Sequence, residues 1–137
     1  MNFLELIISN DISELRLIQQ TIEKLGNEWK LTAKLEMNLN LVLEEVISNI
    51  IFYGYEDDLQ HKIIIEFRLS GKEIMIMIKD DAKAFDISDT EEFGDAEKAV
   101  EERHVGGLGI HFVKTMMDRV SYKRDGEINV LSLWKKI

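Results

Sequence analysis

A chain of 137 residues, 45% hydrophobic and 31% charged, has the length and balance of one globular domain, read here as residues 1–137. A net charge of −9 sets it against nucleic acid, because phosphate backbones are held by clustered Lys and Arg. The absence of Cys excludes disulfides, thiolate metal sites and cysteine nucleophiles. No window reaches the roughly 18 apolar residues of a membrane helix. The N-terminus has no basic region ahead of its apolar residues, so a cytoplasmic protein without a membrane partner is expected.

The stretch "NFLELII" predicts a first strand that ends at Ser9-Asn10-Asp11. Each of those three is a candidate N-cap, and Glu14 fits a capping box. Ile12, Leu15, Ile18, Ile22 and Leu25 then recur at helical spacing. A second helix is expected from about Thr32 to Phe52, with Val42, Leu43, Val46, Ile47, Ile50 and Ile51 as its apolar stripe. "HKIIIEFRLSGKEIMIMIKDD" reads as a hairpin turning at Ser70-Gly71-Lys72. Its second strand alternates Ile74, Ile76 and Ile78 with Met75 and Met77, which predicts a central strand covered on both faces. A polar segment from Asp81 to Val105 follows, of a length that in a compact domain marks a lid or binding loop. A third helix is expected over Ile110 to Asp118, and a closing hairpin around Asp125-Gly126. The order β-α-α-β-β-segment-α-β-β predicts an α+β, two-layer sandwich: a mixed, mostly antiparallel sheet with helices on one face. Met37, Met75, Met77, Met116 and Met117 read as core filler, Trp29 and Trp134 as packing residues, and His61 and His111 as surface or boundary residues.

Three motifs carry chemistry. Glu45 and Asn49, four residues apart, share a face on the shoulder of the second helix's apolar stripe, while Glu44 and Ser48 point further out. Read alone they are polar boundary residues, or else a carboxylate base beside an amide that ligates Mg²⁺. Gly106, Gly107 and Gly109 precede a helix, where free backbone N–H groups make an anion site or the glycines make a hinge. Lys114, one turn into that helix, faces either phosphate or solvent. Asp80 ends a buried strand, where a carboxylate can accept a hydrogen bond from an exocyclic amino group such as adenine N6.

In this order, Glu45-x-x-x-Asn49, a hairpin, Asp80, a polar lid and Gly106-Gly107-Leu108-Gly109 resemble the GHKL ATPase superfamily with its Bergerat fold. Within it the chain looks most like the bacterial anti-sigma-factor serine/threonine kinases, on "NIIFYGYEDD" and "GGLGIHFVKTMMDRVSYKR". The resemblance implies ATP and Mg²⁺ as cofactors, Glu45 as general base toward a serine hydroxyl and Asn49 as Mg²⁺ ligand. It also implies Asp80 as the adenine-binding residue and Gly106, Gly107, Leu108 and Gly109 as the second glycine box around the phosphates. Implied partners are a sigma factor and an anti-anti-sigma (STAS-like) protein carrying the acceptor serine, and the implied assembly is a homodimer.

"DDAKAFD" aligns with that family's first glycine box, Asp-x-Gly-x-Gly or Asp-x-Gly-x-Pro-Phe-Asp, with Ala82 and Ala84 at positions that usually hold glycine or proline and with Phe85-Asp86 kept. If residue 82 needs a positive φ, its methyl costs roughly 1 kcal/mol, and a total of about one or two kcal/mol would weaken ATP binding about tenfold or more without abolishing it. Asp86, Asp89, Glu91, Glu92, Asp95, Glu97, Glu101 and Glu102 face only Lys98 and Arg103 in the lid, so most of these acids must point outward or toward a partner. Arg103 and His104, just before the glycines, are the lid residues placed to meet a γ-phosphate. The alternative is a nucleotide-sensing switch that binds a partner without phosphoryl transfer. The altered box favours it and the retained Glu45 opposes it.

Overall fold

The computed structural model describes residues 1–84 and 107–137, with only the backbone described for 107–110. β1 (Phe3–Ser9) leads through a 3₁₀ turn, Ile12–Glu14, into α1 (Leu15–Trp29). Asp11 is the N-cap and accepts from the Ser13 N–H, while Glu14 reaches back to the Ser9 N–H at 2.9 Å. Thr32 caps α2 (Ala33–Tyr53) through the Leu35 N–H. β2 (Lys62–Ser70) and β3 (Glu73–Asp80) form the first hairpin; α3 (Gly107–Met116), β4 (Arg119–Asp125) and β5 (Ile128–Lys136) complete the order. Gly71 and Gly126 turn the two hairpins at φ of 61° and 63°, where a side chain would be strained.

The strands lie in the order β1-β2-β3-β5-β4. All four ladders are antiparallel among the described residues, so the expected mixed sheet is corrected to an antiparallel one. Strand alternation and register put Leu6, Ile8, Ile63, Ile65, Phe67, Ile74, Ile76, Ile78, Leu131 and Leu133 on one face. That face and the buried stripes of α1, α2 and α3, including Ile18, Ile22, Leu25, Leu43, Ile47 and Val113, form one apolar cluster. Burial of this continuous area is the main favourable term in the fold.

No residue of the opposite sheet face belongs to that cluster. There Met75 and Met77 are half-buried rather than core filler, and β3 is central, with Glu66, Val130 and Ser132 buried beside it on this face outside the main cluster. Lys79 pairs with Glu66 at 3.0 Å, and the Arg119 guanidinium lies 3.7 Å over the Trp134 ring. Trp134 is thus half-exposed under a cation, whereas Trp29 is buried and donates its indole N–H to the Met1 carbonyl. Met37 is 56% exposed on α2, a second departure from the core assignment: its position on the helix points away from the sheet.

The same register defines one end of the core face. Ile63, Asp80, Asn129 and Arg124 occupy a single row across β2, β3, β5 and β4. The apolar pattern of the sheet ends in this row, and polar side chains face the C-terminal end of α2.

Candidate functional site

α2 brings its last turns over that polar row, and the two enclose a cleft. It is lined by Val46, Asn49, Ile50, Tyr53 and Gly54 from α2 and its end, Asp80, Ala82 and Lys83 from β3 and the loop after it, and Tyr122, Asn129 and Leu131 from the closing hairpin. Asn49 and Asp80, 31 positions apart in the chain (80 − 49), meet here.

Asp80 is 5% exposed. Burial pushes its carboxyl above the ordinary range, opposed by hydrogen bonds from the Asn129 amide and the Ala82 N–H, both to Oδ1 at 2.9 Å. Asn129 is as buried, at 6% exposed, and its amide also donates to the carbonyls of Ala82 and Lys83 at 3.0 and 3.1 Å. Its Oδ1 accepts from the Tyr122 hydroxyl and from Arg124 Nη1, and Arg124 donates as well to the Ala82 carbonyl.

The glycine-free loop is therefore fixed by the far hairpin. Lys30 is the only non-glycine with positive φ among the described residues, so Ala82 and Ala84 carry no left-handed strain, and the cost expected of a methyl at 82 does not arise. The methyl instead packs on Gly54. A Cβ built there would lie 2.7 Å from that of Ala82 and 2.6 Å from the Ile50 carbonyl oxygen. The Gly54 carbonyl meanwhile accepts from the Lys83 N–H at 3.0 Å. The space usually left by glycine in the loop is found at Gly54.

Glu45 and Asn49 are both half-buried, but they line different hollows. Glu45 sits with Leu41, Glu44, Ser48 and Phe112, beside α3, one turn before the cleft. A helix advances about 1.5 Å and 100° per residue, so side chains four apart are neighbours rather than coincident. Ser48, expected to point further out, is half-buried, and Glu44 is exposed.

Gly107, Leu108 and Gly109 form the first turn of α3 rather than preceding it, and the helix runs three residues earlier than expected at its start (110 − 107). First-turn N–H groups lack intrahelical partners, so this position leaves the backbone chemistry of the box intact. Lys114 lies in the last turn. Phe85, Asp86, the lid acids, Arg103, His104 and Gly106 fall outside the described residues.

Beside the cleft, His61 bridges two carboxylates: Nε2 to Asp57 Oδ1 at 2.8 Å and Nδ1 to Asp81 Oδ2 at 3.0 Å, with its ring stacked on Tyr55. Hydrogen bonds to Asp57 and then Asp81 hold the imidazole pKa above its usual value. A raised folded pKa means that this contribution to stability is full below about pH 6.5 and is lost as pH rises through the folded value. The melting-temperature difference between wild type and His61→Phe is accordingly expected to shrink from pH 6 toward pH 9. A difference independent of pH would assign His61 a packing role only.

Asn129, Tyr122 and Arg124 were not anticipated from the sequence. Their signal was parity: Asn129 shares strand phase with Leu131 and Leu133, and Tyr122 and Arg124 share phase with Val120. A strand-poor Asn on a buried phase marks a polar insertion into a core face.

Chemically, the cleft offers apolar walls, a buried carboxylate with one oxygen held by donors, and an amide at its rim. That suits a planar heterocycle with an exocyclic donor. No cluster of three or more His, Asp or Glu ligands occurs among the described residues, so a divalent cation here would rest on Asn49 and on oxygens of the bound molecule.

Residues 8–135 match the family described as Histidine kinase-like ATPase domain. The chain is 29% identical over 97 residues to the Serine-protein kinase RsbW of Bacillus thuringiensis (strain Al Hakam), and 26% identical over 96 residues to that of Bacillus licheniformis. Those stretches cover 69% and 68% of this chain and 60% of each relative, so the chain spans about three fifths of the curated relatives it matches. Among solved structures, the SiaB-SiaC complex from Pseudomonas aeruginosa aligns with a TM-score of 0.59 at 13% identity, covering 96% of this chain and 89% of the other. The histidine kinase domain from Erythrobacter litoralis EL346 blue-light activated histidine kinase aligns at 0.53 and 13% identity, covering 91% and 60%. At such identity both likenesses concern the fold.

Proposed function

The chain belongs to the histidine kinase-like ATPase domain family, and from that premise we propose that it binds ATP with Mg²⁺ and phosphorylates a serine or threonine of a protein partner. The observation that carries this reading is the meeting of Asn49 and buried Asp80 in one cleft between α2 and the end of β3. Asp80 would accept from the adenine amino group, with Val46, Ile50 and Leu131 against the base. Ala82 and Ala84 would shape the loop edge, and the N–H groups of Gly106, Gly107, Leu108 and Gly109 would meet the phosphates, with Arg103 at the γ end. The donor set fits Mg²⁺: a single amide oxygen suffices because this ion takes much of its coordination from substrate phosphates and water. When bound, it neutralises charge that builds up on the phosphoryl oxygens. Glu45 would take the proton of the attacking hydroxyl.

Relatives named as serine-protein kinases support a protein acceptor, and the motif resemblance to anti-sigma-factor kinases supports an anti-anti-sigma (STAS-like) protein in that role. The second regulated partner is a sigma factor or its equivalent, the assembly is a homodimer, and the setting is the cytoplasm. No helix among the described residues is long and apolar enough to cross a membrane. The net charge of −9 speaks against direct nucleic-acid contact.

A second reading, the partner-binding switch without transfer, is favoured by one observation: Glu45 lines a hollow of its own beside Phe112.

Titration with ATP tests the shared premise. Wild type is expected to bind saturably, and Asp80→Ala to bind about tenfold or more weakly, the worth of one hydrogen bond to a charged acceptor. Equal affinities would remove Asp80 from the nucleotide site.

A further inference from the structure

We infer that Asn129, held by Tyr122 and Arg124, is the positioning residue that sets base discrimination in this chain, an inference that rests on the cleft's being the nucleotide site. The argument begins with the orientation of an amide. Arg124 has only donors, so the Asn129 atom 2.8 Å from its Nη1 must be the amide oxygen. The nitrogen is thereby turned toward Asp80, where it meets Oδ1 at 2.9 Å. Reversing the amide would set a guanidinium against an NH₂ group and the amide oxygen against a carboxylate, two repulsions at a buried Asn129 and Asp80.

The consequence for Asp80 is directional. Asn129 and the Ala82 N–H both bind Oδ1, which fixes the carboxylate's rotation and leaves Oδ2 as the edge not used by either donor. An amino group on a bound base can be met by that edge, whereas a carbonyl at the same position would face negative charge. Asn129 also ties down the carbonyls of Ala82 and Lys83, and Arg124 binds that of Ala82. The same side chain thus fixes both the carboxylate and the glycine-free loop beside it. In this chain the shape of the loop comes from the β4–β5 hairpin rather than from glycine.

The test is the ratio of affinities for ATP and for purine riboside triphosphate, which lacks the 6-amino group. Wild type is expected to prefer ATP by about tenfold or more. In Asn129→Leu, which keeps the branching and heavy-atom count but no polar atom, affinity for ATP should fall further than affinity for the analogue, so that the ratio falls toward one. Tyr122→Phe and Arg124→Met, each removing one donor to the amide oxygen, should lower the ratio part of the way, and they carry the test if Asn129→Leu fails to fold. Parallel weakening toward both nucleotides, with the ratio preserved, would overturn the inference in favour of a purely structural role. Equal wild-type affinity for the two nucleotides would overturn it by removing the amino contact. Binding of neither would instead overturn the nucleotide reading of the cleft itself, and this inference with it.

Discussion

Replacing Glu45 with glutamine is expected to lower phosphoryl transfer to a serine acceptor by about 10²- to 10⁴-fold, the usual worth of a positioned general base. ATP should still bind, because Glu45 lines the hollow beside α3 and not the cleft that holds Asn49 and Asp80. The near-isosteric amide keeps the size of the side chain in the hollow it lines with Leu41 and Phe112 while removing the proton acceptor. Single-turnover transfer from γ-labelled ATP, read beside equilibrium ATP binding, separates the two proposed functions. A kinase loses transfer and keeps binding. A switch shows no transfer in wild type, and its partner affinity is unchanged by the substitution. Transfer that survives in Glu45→Gln would place the base elsewhere.

Much of the fold was legible because its pattern is redundant. Ile74, Ile76 and Ile78 on β3, and the Leu43–Ile47 stripe of α2, bury residues at two different periods, and every such residue is now in one cluster. The Met face of β3 misled for a definite reason: Met is apolar enough to read as core, yet it also tolerates a half-exposed sheet face where Lys79, Glu66 and Arg119 pair or stack around it. Antiparallel pairing of every described strand was not legible, since strand order depends on long-range register and not on local period.

The site was legible in its motifs and not in their support. Asn49 and Asp80 carry recognisable spacing, whereas Asn129 and Arg124 act through contacts spanning more than 40 positions, as in the bond from Arg124 to the Ala82 carbonyl, with Tyr122 acting through Asn129. The alanines at 82 and 84 looked like a defect because glycine in such a loop usually signals positive φ. Here the backbone is not left-handed at either, and close approach is granted by Gly54 on the opposite wall.

The central claim is that this cleft binds ATP with Mg²⁺ through Asn49, and thermal unfolding of wild type and Asn49→Ala, with and without both ligands, tests it most directly. Nucleotide at about a hundred times its dissociation constant adds about 2.7 kcal/mol to the folded state, a rise of about 5–10 °C for a domain of this size. The account predicts that rise in wild type, its reduction when Mg²⁺ is removed with a chelator, and loss of the Mg²⁺-dependent part in Asn49→Ala. No shift at millimolar ATP, or an equal Mg²⁺-dependent shift in both proteins, would contradict it.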